Sequence, residues 1–307
     1  MPASLGGQAI SSLNPDGSNN PGALLVELDL PMANLFDPDN NAWVRIWGLG
    51  IAAIGNAFNL NDANISIAVG MSKGLPLANP AQQGVVVKGS IFQAFGNWQG
   101  TDQTIDLNIV ANGAAPMQGN AFVFNWTAGT PLRVAIAQML SIALPTMKQS
   151  ISINPALVLA ANETGYYTSL PQFAQYINAR TQPIIGGTYS GVQMTSDGTT
   201  VRVWDNAVAP TNAPTAINFQ DLLGQPTWIE PLTISVKLVM RGDIRLGDVI
   251  TLPQSLVTQT QASQLRLIDK TTFSGNYLVT QIHHYGNSRQ PDAASWNTTI
   301  QATPQPI

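Results

Sequence analysis

Apolar and polar residues alternate with a two-residue period in several short stretches of the first 130 residues. This is the period of a β-strand that buries one face, so the pattern predicts strands separated by turns. Glycine, proline and asparagine cluster in loops such as Leu75–Pro80 and Ala111–Pro116. Residues 22–129 are therefore expected to form a first β-barrel-like domain. The predicted strands are Ala23–Leu30, Trp43–Gly48, Ala63–Met71, Gly84–Phe92 and Thr104–Val110.

Beyond residue 129 the apolar residues recur at helical spacing, which predicts a change of structure. Thr130 is a suitable N-cap and Pro131 fits the first helical turn, so a helix is predicted from there until Pro145 stops it. A second, short helix is expected near Ser169. Residues 130–214 are expected to form a small α+β insert. Its other predicted parts are the strand Ser150–Ile153, a hairpin of Val192–Met194 and Val201–Trp204 around Asp197-Gly198, and a linker at Ala207–Ala216.

Alternation returns near the C-terminus, and residues 215–307 are expected to form a second β-barrel-like domain. Residues 1–21 are rich in Gly, Ser, Asn and Pro, which predicts a flexible arm unless a neighbouring chain orders it. The fold class that follows is mainly β, with two β-barrel-like domains on either side of a central α+β domain. The predicted C-terminal strands are Leu232–Met240, Val249–Leu252, Tyr277–Ile282 and Trp296–Gln301.

The last quarter of the chain carries a motif in three parts, R-x-D-I-x-x-G-D-x-I-x-L-P, F-x-G-x-Y-x-V-x-x-I-x-H-x-G-x-x-R and S-W-x-T. This motif resembles the baseplate hub proteins of contractile-tailed bacteriophages. Two positions depart from the family pattern: Asn287 stands where an acidic residue is frequent, and His283 doubles the histidine. The principal matching residues are Arg241, Asp243, Gly247, Asp248, Phe273, Gly275, Tyr277, His284, Gly286 and Trp296.

The resemblance implies a structural virion protein of the tail baseplate, made in the host cytoplasm and without catalytic role or cofactor. Family hubs carry two similar barrels per chain and assemble as homotrimers. Six barrels then face the hexameric tail tube protein, the opposite face meets a trimeric spike, and other baseplate proteins surround the hub. Its central channel passes DNA and the tape-measure protein. Since the chain ends at Ile307, shortly after the last predicted strand, the spike is expected to be a separate chain.

Composition narrows the classes of protein that this chain can be. Charged residues make up only 10% of it, against roughly 25% in ordinary soluble domains. A low charge suits a protein whose surface is covered by neighbours in an assembly. A secreted or low-charge all-β protein fits this composition equally. A net charge of -4 with scattered basic residues argues against a nucleic-acid binder. The absence of cysteine excludes disulfides and thiolate metal sites. No signal peptide is visible and no apolar run is long enough to predict a membrane span.

Three local patterns imitate known sites. His283 and His284 are adjacent, so on a strand they point to opposite faces and are expected to pack or form hydrogen bonds, and not to share a metal. Asp37–Asn41 resembles the start of a calcium loop, but Ala42 occupies the glycine position, which favours a plain turn. Gly48–Gly55 is close to a dinucleotide fingerprint without its βαβ context, so a bend or bulge in a barrel strand is expected.

Two further sets of residues keep alternatives open. Asp243 and Asp248 could be proposed as the acid/base pair of a hydrolase, but Arg241 and Arg245 lie beside them, which favours structural salt bridges or Asx-turns. An aromatic platform would make the chain a carbohydrate-binding β-sandwich, the main alternative function, although packing in a core or a subunit interface is favoured. The tryptophans considered for that platform are Trp43, Trp47 and Trp98.

Overall fold

A computed structural model describes residues 7, 9–35, 42–75, 77–111, 121–208, 213–253, 273, 275–290, 292 and 294–305. The prediction of a mainly β chain with a small α+β part is confirmed. In the described part of the chain no helix is both long and apolar enough to cross a membrane. The helices are α1 (Ile51–Gly55), α2 (Leu132–Ala143) and α3 (Leu170–Ile185).

The strands are spread over the whole described chain, and the longest are β4 with 16 residues and β15 with 13. They are β1 (Leu25–Met32), β2 (Ala42–Trp47), β3 (Asn64–Val69), β4 (Gly84–Gln99), β5 (Asp102–Ala111), β6 (Phe122–Trp126), β7 (Lys148–Ser152), β8 (Glu163–Tyr167), β9 (Gln193–Ser196), β10 (Thr200–Trp204), β11 (Thr215–Ala216), β12 (Thr227–Glu230), β13 (Thr233–Val239), β14 (Val249–Leu252), β15 (Gly275–Asn287) and β16 (Trp296–Pro304).

Strands from both ends of the chain form one large sheet. Nine of them follow each other in the order β12-β13-β16-β15-β1-β2-β5-β4-β3, and β14 pairs with β15 beside this path. The two ends of the chain meet where β1 pairs with β15 in antiparallel register, with Leu30 opposite His284. Among the described strands the path does not close, since β12 and β3 have one neighbour each.

The alternation seen in the sequence explains how this sheet divides its faces. Leu28, Leu30, Val44 and Ile46 are buried on one face, while the residues between them point to the other. The register carries this polar face across the sheet from β13 to β4. The residues on it include Lys237, Thr299, His283, Glu27, Asp29, Trp43, Arg45, Trp47, Asp106, Asn97 and Phe95.

Three clusters of buried residues lie under these elements, one in the N-terminal strands, one in the C-terminal strands and one in the insert. The core of the insert is formed by α2, α3, the pair β6–β8 and the three-stranded sheet β7-β10-β9, so it also takes in β6, which precedes the predicted start of the insert at residue 130. Phe122, Phe124 and Trp126 of β6 pack into the core of the insert. The proposed division of the chain into an arm and three domains stays a prediction.

The two long helices lie close to where the sequence places them. Ser169 caps α3 by accepting a hydrogen bond from the Gln172 N–H, as its position suggests, and the helix is longer than expected. For α2 the predicted cap is wrong, because Pro131, and not Thr130, is the N-cap and no side chain caps it. The N–H of Leu132 instead donates to the carbonyl of Leu157 at 2.8 Å, so a tertiary contact replaces the cap.

Other local predictions have mixed outcomes. The Gly48–Gly55 stretch is not a bend inside a strand: β2 ends at Trp47, Gly48 turns with φ 80°, and α1 follows. The hairpin β9–β10 around Asp197-Gly198 forms as predicted. The predicted turn at Asp37–Asn41 and residues 209–212 of the predicted linker lie outside the described residues, and β11 forms at the end of that linker. In the N-terminal arm, Ser18 bridges to Lys73.

Candidate functional site

The first part of the C-terminal motif, Arg241–Asp248, forms the loop between β13 and β14. Arg241 is 3% exposed, and its guanidinium binds two carboxylates. Nη2 lies 2.6 Å from Asp243 Oδ2, and Nη1 lies 3.1 Å from Asp221 Oδ2. Asp221 is itself 2% exposed and also accepts a hydrogen bond from Gln82 Nε2 at 3.1 Å. One buried arginine therefore joins the motif to a distant part of the N-terminal strand region.

A second arginine of the loop makes contacts in two further directions. Arg245 Nη2 donates to the carbonyl of Val85 on β4 at 2.7 Å, and its Nε lies 3.7 Å from Asp197 in the β9–β10 turn. Asp248 accepts from the backbone N–H of Arg245 and pairs with Arg202 of β10 at 3.0 Å. The loop thus contacts all three parts of the chain, and we call this set of ion pairs and hydrogen bonds the junction.

Burial shifts the pKa of two groups in the junction, Asp248 and Arg245. It raises the pKa of the Asp248 carboxyl, because loss of water disfavours the charged form, while the nearby arginines act in the opposite direction. It likewise lowers the pKa of the Arg245 guanidinium. Both carboxylates of the proposed acid/base pair are held by arginines, Asp243 by Arg241 and Asp248 by Arg202. The arrangement is suited to joining parts of the chain.

Glycines let the backbones meet closely at the junction. A Cβ at Gly242 would lie 2.7 Å from the carbonyl oxygen of Gly84 and 2.8 Å from that of Val69. The N–H of Gly242 donates to the Gln82 carbonyl at 2.7 Å. Gly247 has φ 78°, and a Cβ there would lie 2.8 Å from the ring of Trp204. Side chains at these two positions would separate the loop from the N-terminal strands and from the insert.

The second part of the motif is connected to the β13–β14 loop by hydrogen bonds of Thr298. His284 is fully buried on β15, and its Nδ1 lies 3.0 Å from Thr298 Oγ1. That hydroxyl also accepts the backbone N–H of Arg241 at 2.9 Å. Among the described residues the other ring nitrogen of His284, Nε2, has no hydrogen-bond partner. Burial, followed by the positive charge of Arg245, lowers the pKa of His284 to about 3.

His284 gives a pH-dependent prediction. His284 takes up a proton near pH 6.5 in the unfolded chain and only near pH 3 in the folded chain. The stability that neutral His284 contributes is therefore lost progressively as pH falls below 6.5. Between pH 7 and pH 5 this difference amounts to about 2 kcal/mol. We expect His284→Gln, which cannot titrate, to gain about that much relative to the natural chain over this range. Urea unfolding at both pH values measures it, and a constant difference between the two proteins would contradict the assignment.

The remaining motif residues lie in two places. Near the junction, Gly286 makes room for Trp296, since a Cβ there would lie 2.5 Å from the indole ring, and Trp296 Nε1 donates to the Gly70 carbonyl at 3.0 Å. At the far end of β15, Gly275 begins the strand and Tyr277 packs into the C-terminal core. The Phe273 ring packs against the Trp228 ring in a tilted arrangement, with 5.6 Å between their centres. The structure therefore brings together seven of the ten motif residues and leaves Phe273, Gly275 and Tyr277 apart.

Several junction residues were not singled out from the sequence. Asp221, Gln82 and Arg202 come from three separate segments outside the motif. A local signal existed only for Asp221, which forms a capping box with Asn218 at a short 3-10 helix. The sequence around Gly84 gives no sign of its role, because that role depends on the close approach of Gly242.

The other candidate residues lie on the sheet. His283 and His284 point to opposite faces as predicted, and His283 Nε2 lies 2.7 Å from Asp29 Oδ1 on the polar face. Within the described part of the chain no group of three or more His, Asp or Glu side chains is placed to hold a metal ion. The three tryptophans do not form one platform. Trp43 and Trp47 share the polar face, with the guanidinium of Arg45 5.7 Å from each ring, whereas Trp98 points to the opposite face.

Comparison with known proteins gives a likeness in fold alone. No family model and no curated protein matches the sequence. Among solved structures, a type VI secretion system component of E. coli, described as structurally similar to the T4 bacteriophage tail proteins gp27 and gp5, matches with TM-score 0.53, 8% identity, 92% of this chain and 73% of that one.

Two other structures match less well. A tail protein from Neisseria meningitidis matches with TM-score 0.47 and 10% identity over 91% of each chain. The Francisella PdpA-VgrG complex matches with TM-score 0.47 and 7% identity over 94% of this chain and 56% of that one. At the level of the fold, the predicted resemblance to baseplate hub-like tail proteins is confirmed.

Proposed function

We propose that this chain is a non-enzymatic structural protein of a phage tail baseplate: a homotrimeric hub that joins the hexameric tail tube to the trimeric spike of a contractile tail. The single observation that carries the proposal is the pairing of β1 with β15 within a fold like that of the E. coli secretion component. This pairing fuses the N-terminal and C-terminal strands into one wall. Three such walls would present six β units around a threefold axis.

The polar face of the sheet supports a channel role for this wall. A channel that passes DNA and the tape-measure protein must not bind phosphate strongly, so free cations should be few. The guanidinium of Arg45 is paired with Asp106, and the imidazole of His283 lies against Asp29. Lys237 and Lys88 are the other basic residues that the register places on this face. Glu27, whose carboxylate accepts from Trp47 Nε1 at 2.8 Å, adds negative charge.

The junction supports the hub role because it can hold the parts of the chain in a fixed relative position. An adaptor between two rings transmits load, and its parts must keep a fixed relative position. Arg241 and Arg245 link the C-terminal loop to the insert and to Asp221 through buried or half-buried ion pairs, and to β4 through a hydrogen bond to the Val85 carbonyl. We infer that the family motif is retained here as a structural clamp and not as a binding or catalytic site.

The assembly is tested by the mass of the purified chain. We expect a particle of three times the chain mass of 32.6 kDa, measured by light scattering after gel filtration, and a ring with a central opening in electron micrographs. An obligate interface of this kind buries on the order of 2,000 Å² or more, so the trimer should persist at micromolar concentration. Candidate spike and tube proteins are then added as separate chains. A monomer that stays monomeric with every partner would contradict the proposal.

A further inference from the structure

The core of the N-terminal strands surrounds a cavity of about 1060 Å³. Every residue of β3 lines it, and so do core residues of β1, β2 and β5, among them Leu28, Val44, Ile46 and Leu107. Among the described strands β1 pairs with β2 and β15, and β3 pairs with β4. The cavity therefore lies where the curled sheet leaves β1 and β3 facing each other without a ladder between them.

The size and the wall of this cavity are those of a small-molecule site. Protein interiors contain few spaces larger than a water molecule, so a space of this size in an apolar core is unusual. Sites for small molecules occupy roughly 300–1,000 Å³ and are lined mostly by apolar side chains. The leucine, isoleucine and valine side chains here favour an aliphatic ligand, because its burial removes apolar surface of both partners from water.

The N-terminal arm forms the roof of the cavity. Ile10 and Leu24 line it and pack against the N-terminal core. The arm is attached beside β3, where the N–H of Lys73 donates to the carbonyl of Gly17 at 2.8 Å. A surface segment held by exposed backbone hydrogen bonds opens more easily than the sheet beneath it. Opening of the arm would therefore give a ligand a way into the cavity.

Arg289 is the one charged residue among the described residues that line the cavity. It ends the second part of the motif and takes no part in the junction. Its side chain is exposed, so it lies at the rim, and among the described residues no carboxylate lies within ion-pair distance of it. Its Nη2 donates to the carbonyl of Ala23 in the arm, and Ser288 beside it also lines the cavity. The rim thus offers a guanidinium and a hydroxyl to an anion, and a guanidinium suits a carboxylate best.

We propose that this cavity binds an aliphatic carboxylate of the fatty-acid class, with the chain between β1, β2 and β3 and the carboxylate at Arg289. The apolar wall and the single cation match the two ends of such a ligand. A sugar would leave hydroxyl groups unpaired against the wall, and a cationic amphiphile would be repelled by the guanidinium. The site lies within one chain, so it does not depend on the proposed ring assembly.

Titration calorimetry of the full chain with sodium decanoate, and with decanol as the uncharged counterpart, tests the head-group contact. We expect saturable binding of one decanoate per chain and weaker binding of decanol. Arg289→Gln should weaken decanoate about tenfold and leave decanol unchanged, whereas Arg289→Lys, which keeps the charge, should retain most of the affinity. Arg133→Gln, at an exposed arginine on α2, is the matched control and should bind as the natural chain does.

A substitution that fills the cavity tests where the aliphatic chain lies. Ile67 of β3 lines the cavity and is half-buried, so the larger side chain of Ile67→Trp should occupy the space and abolish the binding of decanoate and decanol alike. Ile142→Trp makes the same change on α2, where the side chain is 82% exposed, and should leave binding unchanged. Thermal unfolding shows whether each variant is folded.

Several results would overturn the inference. They are the absence of saturable decanoate binding, equal affinities for decanoate and decanol, and full binding in a folded Ile67→Trp variant. If Ile67→Trp does not fold, the exposed Arg289 decides, and an unchanged decanoate affinity in Arg289→Gln contradicts the site. Binding to phosphatidylglycerol vesicles without saturable decanoate binding would indicate a surface contact with lipid and also overturn it. None of these results touches the hub proposal, which the mass of the particle tests.

Discussion

Replacing Arg241 by methionine should lower the free energy of unfolding by about 3 to 5 kcal/mol, the cost of removing one partner from a buried ion pair. The guanidinium is 3% exposed and the carboxylate of Asp221 is 2% exposed, so water cannot take its place. Asp221 would keep its hydrogen bonds from Gln82 and from the Asn218 N–H, but no positive charge would remain beside it. Asp243 is 25% exposed on its side chain and would be hydrated, which limits its share of the cost.

Two variants test whether charge is the cause. Arg133 is exposed on α2, and we expect Arg133→Met to change the stability by less than about 0.5 kcal/mol. Adding Asp221→Asn to Arg241→Met removes the unpaired charge while keeping an acceptor for the Asn218 N–H, and should recover at least about 2 kcal/mol. Urea denaturation of all four proteins measures the free energies. A double variant that is less stable than Arg241→Met alone would contradict this explanation. It would show that Arg241 does not act by compensating the buried charge of Asp221.

The two-residue alternation of apolar and polar residues predicted most strands of this fold, because it is visible within each stretch of sequence by itself. It could not predict which strands pair. β1 and β15 lie some 250 residues apart, and the register that brings Leu30 opposite His284 depends on the packing of the whole sheet. The same limit explains the grouping of Trp98 with Trp43 and Trp47: parity within one strand gives the face, but parity between strands requires the register.

The junction was predictable in part for a similar reason. Arg241 and Asp243 are two residues apart, so the local pairing could be expected from the sequence alone. The partners that make the loop a junction, Asp221, Arg202 and Val85, come from segments whose approach is set by packing. Helix α1 was missed because five residues are too few to show a helical period.

Replacing Gly198 by alanine should destabilise the chain by about 2 to 4 kcal/mol, from two causes that add. Gly198 has φ 83°, which costs about 1 kcal/mol or more for a residue with a Cβ. A Cβ there would also lie 1.7 Å from the carbonyl oxygen of Lys88 on β4, which is backbone and cannot move alone. Overpacking of this kind costs about 1 to 3 kcal/mol. The β9–β10 turn would have to leave β4, where the Lys88 N–H donates to the Asp197 carbonyl at 2.9 Å.

Gly74 separates the two causes, because it has φ 90° and no heavy atom within 4 Å of the Cβ position. Gly74→Ala should therefore show the cost of the backbone conformation alone. The excess for Gly198→Ala then measures how firmly the insert is held on the N-terminal strands. Thermal unfolding gives both free energies, and hydrogen exchange at Lys88 reports whether the turn has moved. Equal costs at the two glycines would show that the turn yields without strain, and the insert would then not be fixed to β4 at this point.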